Sequence, residues 1–240
     1  MRFVGVPLGK GQGEGTVLRE ERAVALPPTR PRSVGDSVLW APGADPAGVT
    51  VEELARPCGA ILLLKAPTSS PGSVALPTVA GVPSELIWEG DRVKVDGDAG
   101  TVELPSVRDV QVVTSLLQRD DGRILILRRS ERVGSFRGRW AGVSGYLEVP
   151  DPLAQSLTEI HEEIGLSREE LQLASRGEPV YARDQDRVFV IHPFRFRVRD
   201  PKVRLDWEHT EFRWILPEEI DQFVTVPQLG EVWRRVAPPP

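Results

Sequence analysis

Between Asp151 and Gly165 the chain writes out a helix together with both of its ends. An aspartate side chain accepts from the first free backbone N–H groups of a helix. A proline after it, here Pro152, suits the first helical position because it has no N–H to lose. Leu153, Leu157, Ile160 and Ile164 then recur at helical spacing. Gly165 stops the run, since glycine enters the left-handed conformation that ends a helix at little cost. The segment therefore predicts an amphipathic helix whose apolar stripe must lie on a sheet or on another helix.

The same helix carries Glu159, Glu162 and Glu163. At positions i, i+3 and i+4 they are neighbours, about 5–6 Å apart at Cβ. The spacing sets them opposite the leucine and isoleucine stripe. An acidic run is ordinarily a solvated face, and like charges so close weaken an isolated helix. A hard divalent cation reverses that sign, because it seeks carboxylate oxygens together with phosphate oxygens.

Around this helix the chain reads as strands. Val110 to Leu117 turns through Arg119-Asp120-Asp121-Gly122 into Ile124 to Leu127. Val188 to Val198 alternates Phe194, Phe196 and Val198 with Arg195 and Arg197, and Thr210 to Ile215 is a further strand. Short helices are expected over Pro217 to Gln222 and Pro227 to Val236. Strands flanking a central helix, with helices after them, predict an α/β/α sandwich around a mixed sheet. Upstream of residue 106 the pattern is different. Ala60 to Leu64 has strand length, and Val51 to Ala55 reads as the start of a short helix. Arg92 to Val95 and Thr101 to Leu104 are joined by Asp96-Gly97-Asp98-Ala99-Gly100, which is hairpin chemistry. The expected organisation is thus a small β/α domain over 1–105 and an α/β domain over 106–240.

Composition narrows the partners. A net charge of -5 over 240 residues argues against a general nucleic-acid or anionic-membrane binder. No stretch approaches the roughly 18 apolar residues of a membrane helix, and Met1 to Gly15 has no apolar signal core. Cys58 is the single cysteine, so no disulfide forms within the chain, and a cytoplasmic location fits.

The strand Trp140 to Gly145, the loop after it, and the helix closed by Gly165 and Leu166 resemble the Nudix box, G-x5-E-x7-R-E-U-x-E-E-x-G-U with U aliphatic. Glu159, Ile160, Glu162, Glu163, Gly165 and Leu166 match its second half position by position. Gly145 matches the opening glycine when the loop is one residue shorter. Two positions depart: Thr158 stands where the family has an arginine that orients the carboxylates, and the upstream glutamate falls on Pro150 or Asp151. The resemblance runs over residues 108–236, taking in Arg128-Arg129-Ser130, Gly138-Arg139-Trp140 and Glu208 to Trp214.

That resemblance implies Mg²⁺- or Mn²⁺-dependent hydrolysis of a nucleoside diphosphate linked to another moiety, on a nucleotide-type small molecule. It implies Glu159, Glu162 and Glu163 as catalytic metal ligands, with Glu162 open to the alternative role of general base. Of the five clustered arginines Arg128, Arg129, Arg132, Arg137 and Arg139, one or two are open to bidentate phosphate binding, with Arg129 and Arg139 the candidates; Gly145 and Glu208 are also placed at the substrate, Glu208 being open to the role of a further metal ligand. Trp140 and Trp207 are open to stacking a base or to core packing, His209 is placed at the rim and His161 in solvent. A homodimer is compatible with all of this. Thr158 and the missing upstream glutamate leave a second reading, a weak or inactive Nudix domain that serves as a nucleotide sensor or interaction module.

Residues 1–105 are similar to the swivelling phosphohistidine domain of phosphoenolpyruvate-utilising enzymes. The similarity lies in Gly11 to Val17, Pro67 to Ser73, Gly81-Val82-Pro83 and Gly90 to Gly97. The phosphate-carrying histidine of that family falls on Gly72, and the chain's three histidines are His161, His192 and His209, so the carrier chemistry is missing.

Overall fold

The computed structural model describes residues 1–4, 6–9, 11–19, 37–41, 60–63, 78–80 and 86–239, and strands dominate it. The chain divides into two compact units, Met1–Arg108 with Gln185–Arg187, and Asp109–Asp184 with Val188–Pro240. None of the helices among the described residues is long and apolar enough to cross a membrane.

The first unit is built on β1 (Arg2–Val4), β2 (Val6–Gly9), β3 (Gln12–Arg19), β4 (Ser37–Ala41), β5 (Ala60–Leu63), β6 (Thr78–Ala80), β7 (Arg92–Asp96) and β8 (Thr101–Glu103). They form one sheet in the order β1-β8-β7-β3-β4-β5-β6-β2. The neighbours β3, β4, β5 and β6 run parallel, and the other pairs are antiparallel. The expected hairpin is present as β7 and β8. Its alternation buries Val93 and Val95 and leaves Arg92 and Lys94 outside. Asp96 Oδ1 accepts from the N–H groups of Asp98 and Ala99, and Gly100 takes a φ of 65°, which closes the turn. The segments Pro67 to Ser73 and Gly81-Val82-Pro83, on which the swivelling-domain resemblance partly rests, and the helix start at Val51 to Ala55, lie outside the described residues.

The second unit holds β9 (Arg108–Gln118), β10 (Ile124–Arg129), β11 (Trp140–Ala141), β12 (Val143–Tyr146), helix α1 (Pro152–Ile164), β13 (Gln172–Arg176), β14 (Val180–Asp184), β15 (Arg187–Arg197), β16 (His209–Ile215) and helix α2 (Leu229–Val236). One sheet runs β11-β10-β9-β15-β13, with β12 on β9, β14 on β15 and β16 on β10. The ladders β10–β16, β10–β11, β9–β10, β9–β12 and β13–β15 are antiparallel, and a parallel bridge joins Trp140 to Thr225.

A helix lies over each face of this sheet because its inner strands are apolar on both faces. In β10, Leu125 and Leu127 join Ile160 and Ile164 of α1, while Ile124 and Ile126 join Leu229, Val232 and Val236 of α2. Phe194, Phe196 and Val198 of the alternating β15 segment fall on the α1 side. Arg195, pointing the other way, is buried and donates to the Val236 carbonyl at 2.7 Å, where a cation suits a helix C-terminus.

Helix α1 begins and ends as expected. The Asp151 side chain accepts from Leu153 N at 3.0 Å, and Gly165 caps the other end at φ 72°. A Cβ at Gly165 would make only ordinary contact with Arg204, so the cost of adding one lies in the backbone. Gly165→Ala is expected to lower stability by about 1–2 kcal/mol, the penalty for a left-handed non-glycine residue. The check is a shift in the urea midpoint at unchanged slope.

The buried face of α1 differs from the expected stripe. Ile160 and Ile164 are buried, but with Gln155, Ser156 and Glu163, whereas Leu153 and Leu157 are partly covered at the margin. Ser156, Ile160 and Glu163 follow i, i+4, i+7, which is itself a helical face. Glu163 therefore shares the sheet side of the helix with Ile160 instead of lying opposite it. The polar members have partners, since Ser156 Oγ meets Ser115 Oγ of β9 at 2.7 Å.

Candidate active site

The site is a cleft of about 330 Å³ lined by α1 from Gln155 to Glu162, by β12, by Arg129 at the end of β10 and by Glu208 just ahead of β16. Glu148, Glu159, Glu162 and Glu208 line it, with Arg129 as the one lining guanidinium. Phe136, Phe189 and Ile191, members of one apolar cluster, contribute apolar surface to the same lining. The rings of Phe136 and Phe189 stand 6.0 Å apart at their centroids.

Three features place the carboxylates. Strand β12 pairs with β9, with Ser144 opposite Thr114 and Gly145 opposite Val113. Ser144 N donates to Glu163 Oε1 at 3.2 Å, so the helix is tied to the strand through Glu163. The segment before β16 is sewn to the end of α1, because Arg204 N donates to Ile164 O and Asp206 N to Glu163 O. That brings Asp206, Glu208 and His209 to the carboxylates of the helix. Pairing of Arg129 with His209, and the bond from Ser130 N to Glu208 O, place Arg129 across from them.

The glycine at 145 has a steric reason. A Cβ there would overlap the carboxylate of Glu159, which lies against the bare backbone. On its other side Glu159 Oε1 accepts from Gln155 Nε2 at 2.8 Å.

Electrostatically the carboxyls are under pressure. Burial holds Glu163 well above its ordinary value, opposed by the Ser144 N–H and reinforced by the charges of Glu159, Asp206 and Glu208. Burial also raises Glu159, with the Gln155 hydrogen bond opposing and Glu162, Glu208 and Glu148 adding to the rise. Glu208 is raised by burial and by Asp206, against the pull of Arg129. His209 is lowered by burial foremost, although its Nδ1 stands 3.2 Å from Asp206 Oδ1. Its Nε2 is 3.7 Å from Glu163 Oε2, beyond hydrogen-bond reach. Burial drives both groups toward their neutral forms, which disfavours an ion pair between them. Both atoms are buried without a hydrogen-bond partner, a costly state for polar groups.

Of the expected site residues, Glu159, Glu162, Gly145, Arg129 and Glu208 line the cleft, and Glu163 sits behind it at 3% exposure. Arg139 does not join them. It is exposed, and its Nη1 donates to the Thr225 carbonyl at 3.0 Å. The turn from β10 to β11 carries it past the cleft, while Arg129 is pinned by its pairing with β16. The other arginines are engaged elsewhere: Arg128 with Glu211, Arg132 over the ring of Trp207, and Arg137 on the Val133 carbonyl. Trp140 is core, edge-on to Phe223, and Trp207 is exposed and outside the cleft lining. His161 is exposed, as expected, whereas His209 is buried and not at a rim. Sequence reasoning passed over Glu148, Gln155, Ser144 and Asp206. A signal existed for two of them: Gln155 is one turn before Glu159, and Asp206 is three residues before His209.

No three His, Cys, Asp or Glu side chains among the described residues are already gathered at metal-ligating distances. The donor set nonetheless suits a hard cation. It is all carboxylate oxygen, one of those oxygens is buried with no partner, and three of the carboxyls are raised. At 5–6 Å two ionised carboxylates repel by roughly 3 kcal/mol at an effective dielectric of 20. A divalent charge among them turns that repulsion into attraction.

Residues 108–236 match the family model described as the NUDIX domain. Among curated proteins none matches the chain. Solved structures similar to it include a binary complex of the Ap4A hydrolase of C. elegans, at 18% identity over 52% of this chain and 93% of that one, TM-score 0.45. The MutT protein of Methanosarcina mazei is 22% identical over 54% of this chain and 94% of its own, TM-score 0.46. The Nudix hydrolase RenU of M. smegmatis is 16% identical over 53% and 82%, TM-score 0.44.

Proposed function

We propose, on the premise that this chain belongs to the NUDIX domain family and is a hydrolase of phosphoric anhydride bonds, that it cleaves a nucleoside diphosphate linked to a further group in the cleft beside α1. In this reading residues 106–240 are the hydrolase domain, and residues 1–105, which hold no histidine, take no part in the chemistry. The observation that carries it is the buried Glu163 carboxyl, with one oxygen unpartnered, among other carboxyls raised by burial and by one another.

Glu159 and Glu163 would hold a divalent cation, Mg²⁺ or Mn²⁺, leaving Glu162 in its alternative role as the base. Bound there, such an ion neutralises phosphate oxygens and lowers the pKa of a water it carries. The chain's own residues do the rest. Arg129, its Nε fixed on the Ser135 carbonyl at 3.1 Å, offers its guanidinium to a phosphate oxygen. Phe136, Phe189 and Ile191 give a flat base an apolar surface to lie on. Glu162, the exposed carboxylate of the helix, accepts the proton of the attacking water. The water oxygen bonds to one phosphorus, and the bridging oxygen leaves with the other phosphate and keeps the electron pair.

The test is a turnover screen with Mg²⁺ or Mn²⁺ over ADP-ribose, NADH, dinucleoside polyphosphates, nucleoside triphosphates and capped RNA. At least one substrate is expected to turn over, only with metal. Because Glu162 is exposed, Glu162→Gln should remain folded and lose about 10²–10⁴-fold in rate. Tight binding of a nucleotide by the wild type, with no turnover anywhere in the panel, would replace hydrolysis with the sensor reading.

A further inference from the structure

We infer that Gln155 is a positioning residue for this hydrolysis: its carboxamide ties the Glu159 carboxylate to the backbone of Glu148, so that the helix and the loop ahead of it present one fixed donor set to the cation. The inference rests on the proposed function above and names a residue that the box pattern does not contain.

Gln155 is 4% exposed, yet it lines the cleft. Its Nε2 donates to Glu159 Oε1 at 2.8 Å, and its Oε1 accepts from Glu148 N at 3.1 Å. The two partners settle which way the amide points, because a backbone N–H only donates and an ionised carboxylate only accepts. Nothing in the helix itself requires a glutamine here. Its backbone N–H bonds to Asp151 O whatever the side chain, and an apolar residue would be buried at lower cost. What the amide does is hold Glu159. That carboxylate is crowded by the charges of Glu162, Glu208 and Glu148, all of which favour its swinging out to solvent. The bare backbone of Gly145 gives it room, and the Gln155 amide gives it a reason to stay.

Thr158, next to Glu159, supplies no such donor. It is exposed, and its Oγ1 bonds back to Ala154 O at 3.2 Å. It does line the cleft, so a longer cationic side chain at that position reaches the same carboxylates from the solvent side.

The experiment uses the full chain and four readouts on Gln155→Leu, which keeps the volume and removes both hydrogen bonds. They are Mn²⁺ affinity with no substrate present, kcat and KM on the best substrate of the screen, thermal stability, and exchange of the Glu148 amide. Expected are an Mn²⁺ Kd raised about 10–100-fold, a kcat lowered by a similar factor, and KM within about twofold, as for loss of a residue that orients a ligand. The melt should remain cooperative, and the Glu148 amide should exchange faster. In the double variant Gln155→Leu/Thr158→Arg, Mn²⁺ affinity should recover in part, a rescue that mere packing by Gln155 would not allow. Native Mn²⁺ affinity in Gln155→Leu, or an unchanged Glu148 amide, overturns the inference. A wild type that binds Mn²⁺ but cleaves nothing sinks the hydrolase reading alone, since affinity and exchange still judge the tie. A wild type that binds no Mn²⁺ overturns both.

Discussion

Glu163→Gln is expected to lose about 10²–10⁴-fold in turnover while folding at least as stably as the native chain. The two halves of that result have separate causes. Activity falls because a carboxamide is neutral and cannot serve a hard cation as a carboxylate does. Stability holds because the site is poor for a charge. Glu163 is buried, its Oε1 takes the Ser144 N–H, and its Oε2 lies 3.7 Å from His209 Nε2, neither of those two atoms having a hydrogen-bond partner. A glutamine keeps an oxygen for Ser144 and puts an N–H donor beside the histidine nitrogen, a gain of about 1 kcal/mol per satisfied bond.

The pH dependence separates this account from a simple packing effect. The Glu163, Glu159 and Glu208 carboxyls are all raised above the ordinary value of 4.5, by burial first and by their neighbours second. A raised acid favours the folded state while protonated. Its contribution is complete below the unfolded value and is lost as pH climbs through the folded one. His209, lowered chiefly by burial, pulls the other way below its ordinary value of 6.5. Because Nε2 faces the substituted side chain, an N–H donor there lowers the histidine further, which adds to the variant's gain as pH rises. Thermal melts without divalent metal, from about pH 4 to about pH 8, should therefore show the variant gaining on the wild type as pH rises. Parallel curves would mean that Glu163 is ionised without penalty in the fold, and the carboxylate-pressure argument would go with it.

Gly145→Ala is expected to reduce turnover by about 10²-fold or more with little change in stability. Gly145 does not take a positive φ, so alanine brings no backbone strain, and extended backbone tolerates it. The whole effect is local overlap. Strand β12 cannot retreat, because Gly145 and its neighbours are paired with Val112 to Ser115 of β9. The Glu159 carboxylate has to leave, breaking its bond to Gln155. Rates on the best substrate, set beside a urea titration, check both halves. A folded Gly145→Ala chain with native turnover would show that Glu159 is not needed where it stands.

What was legible in the sequence was mostly what is decided within one turn or one hairpin. Asp151, Pro152 and Gly165 bound α1 because capping is local, and Asp96 with Gly100 closes the β7–β8 turn for the same reason. The three glutamates were recognisable as one group, since helical spacing alone makes them neighbours. Their division into one buried, one half-buried and one exposed member was not. It depends on which side of α1 meets β9, and that is settled by Ser156 against Ser115, a contact 41 residues apart in the chain. Two leucines gave a plausible stripe, and only the sheet shows that Ser156, Ile160 and Glu163 make the real one. The arginines teach the same lesson. Arg129 and Arg139 look alike in a basic loop, and the register of β10 on β16 sends one to the cleft and leaves the other on the Thr225 carbonyl.

The bonds from Arg204 N and Asp206 N to the last carbonyls of α1 join two segments through main-chain atoms alone. A seam of that kind is indifferent to which side chains decorate it. Within residues 199–205, Val203 and Leu205 also pack on the α1 side of the core, so the exposed positions among them bear little on the acidic wall as long as the length is kept. An added or deleted residue there would shift Asp206, Glu208 and His209 together along the helix end, whereas a replacement at exposed Lys202 or Arg204 would leave them in place. The inheritance of this site is thus written in loop length at one border and in side-chain chemistry at the other.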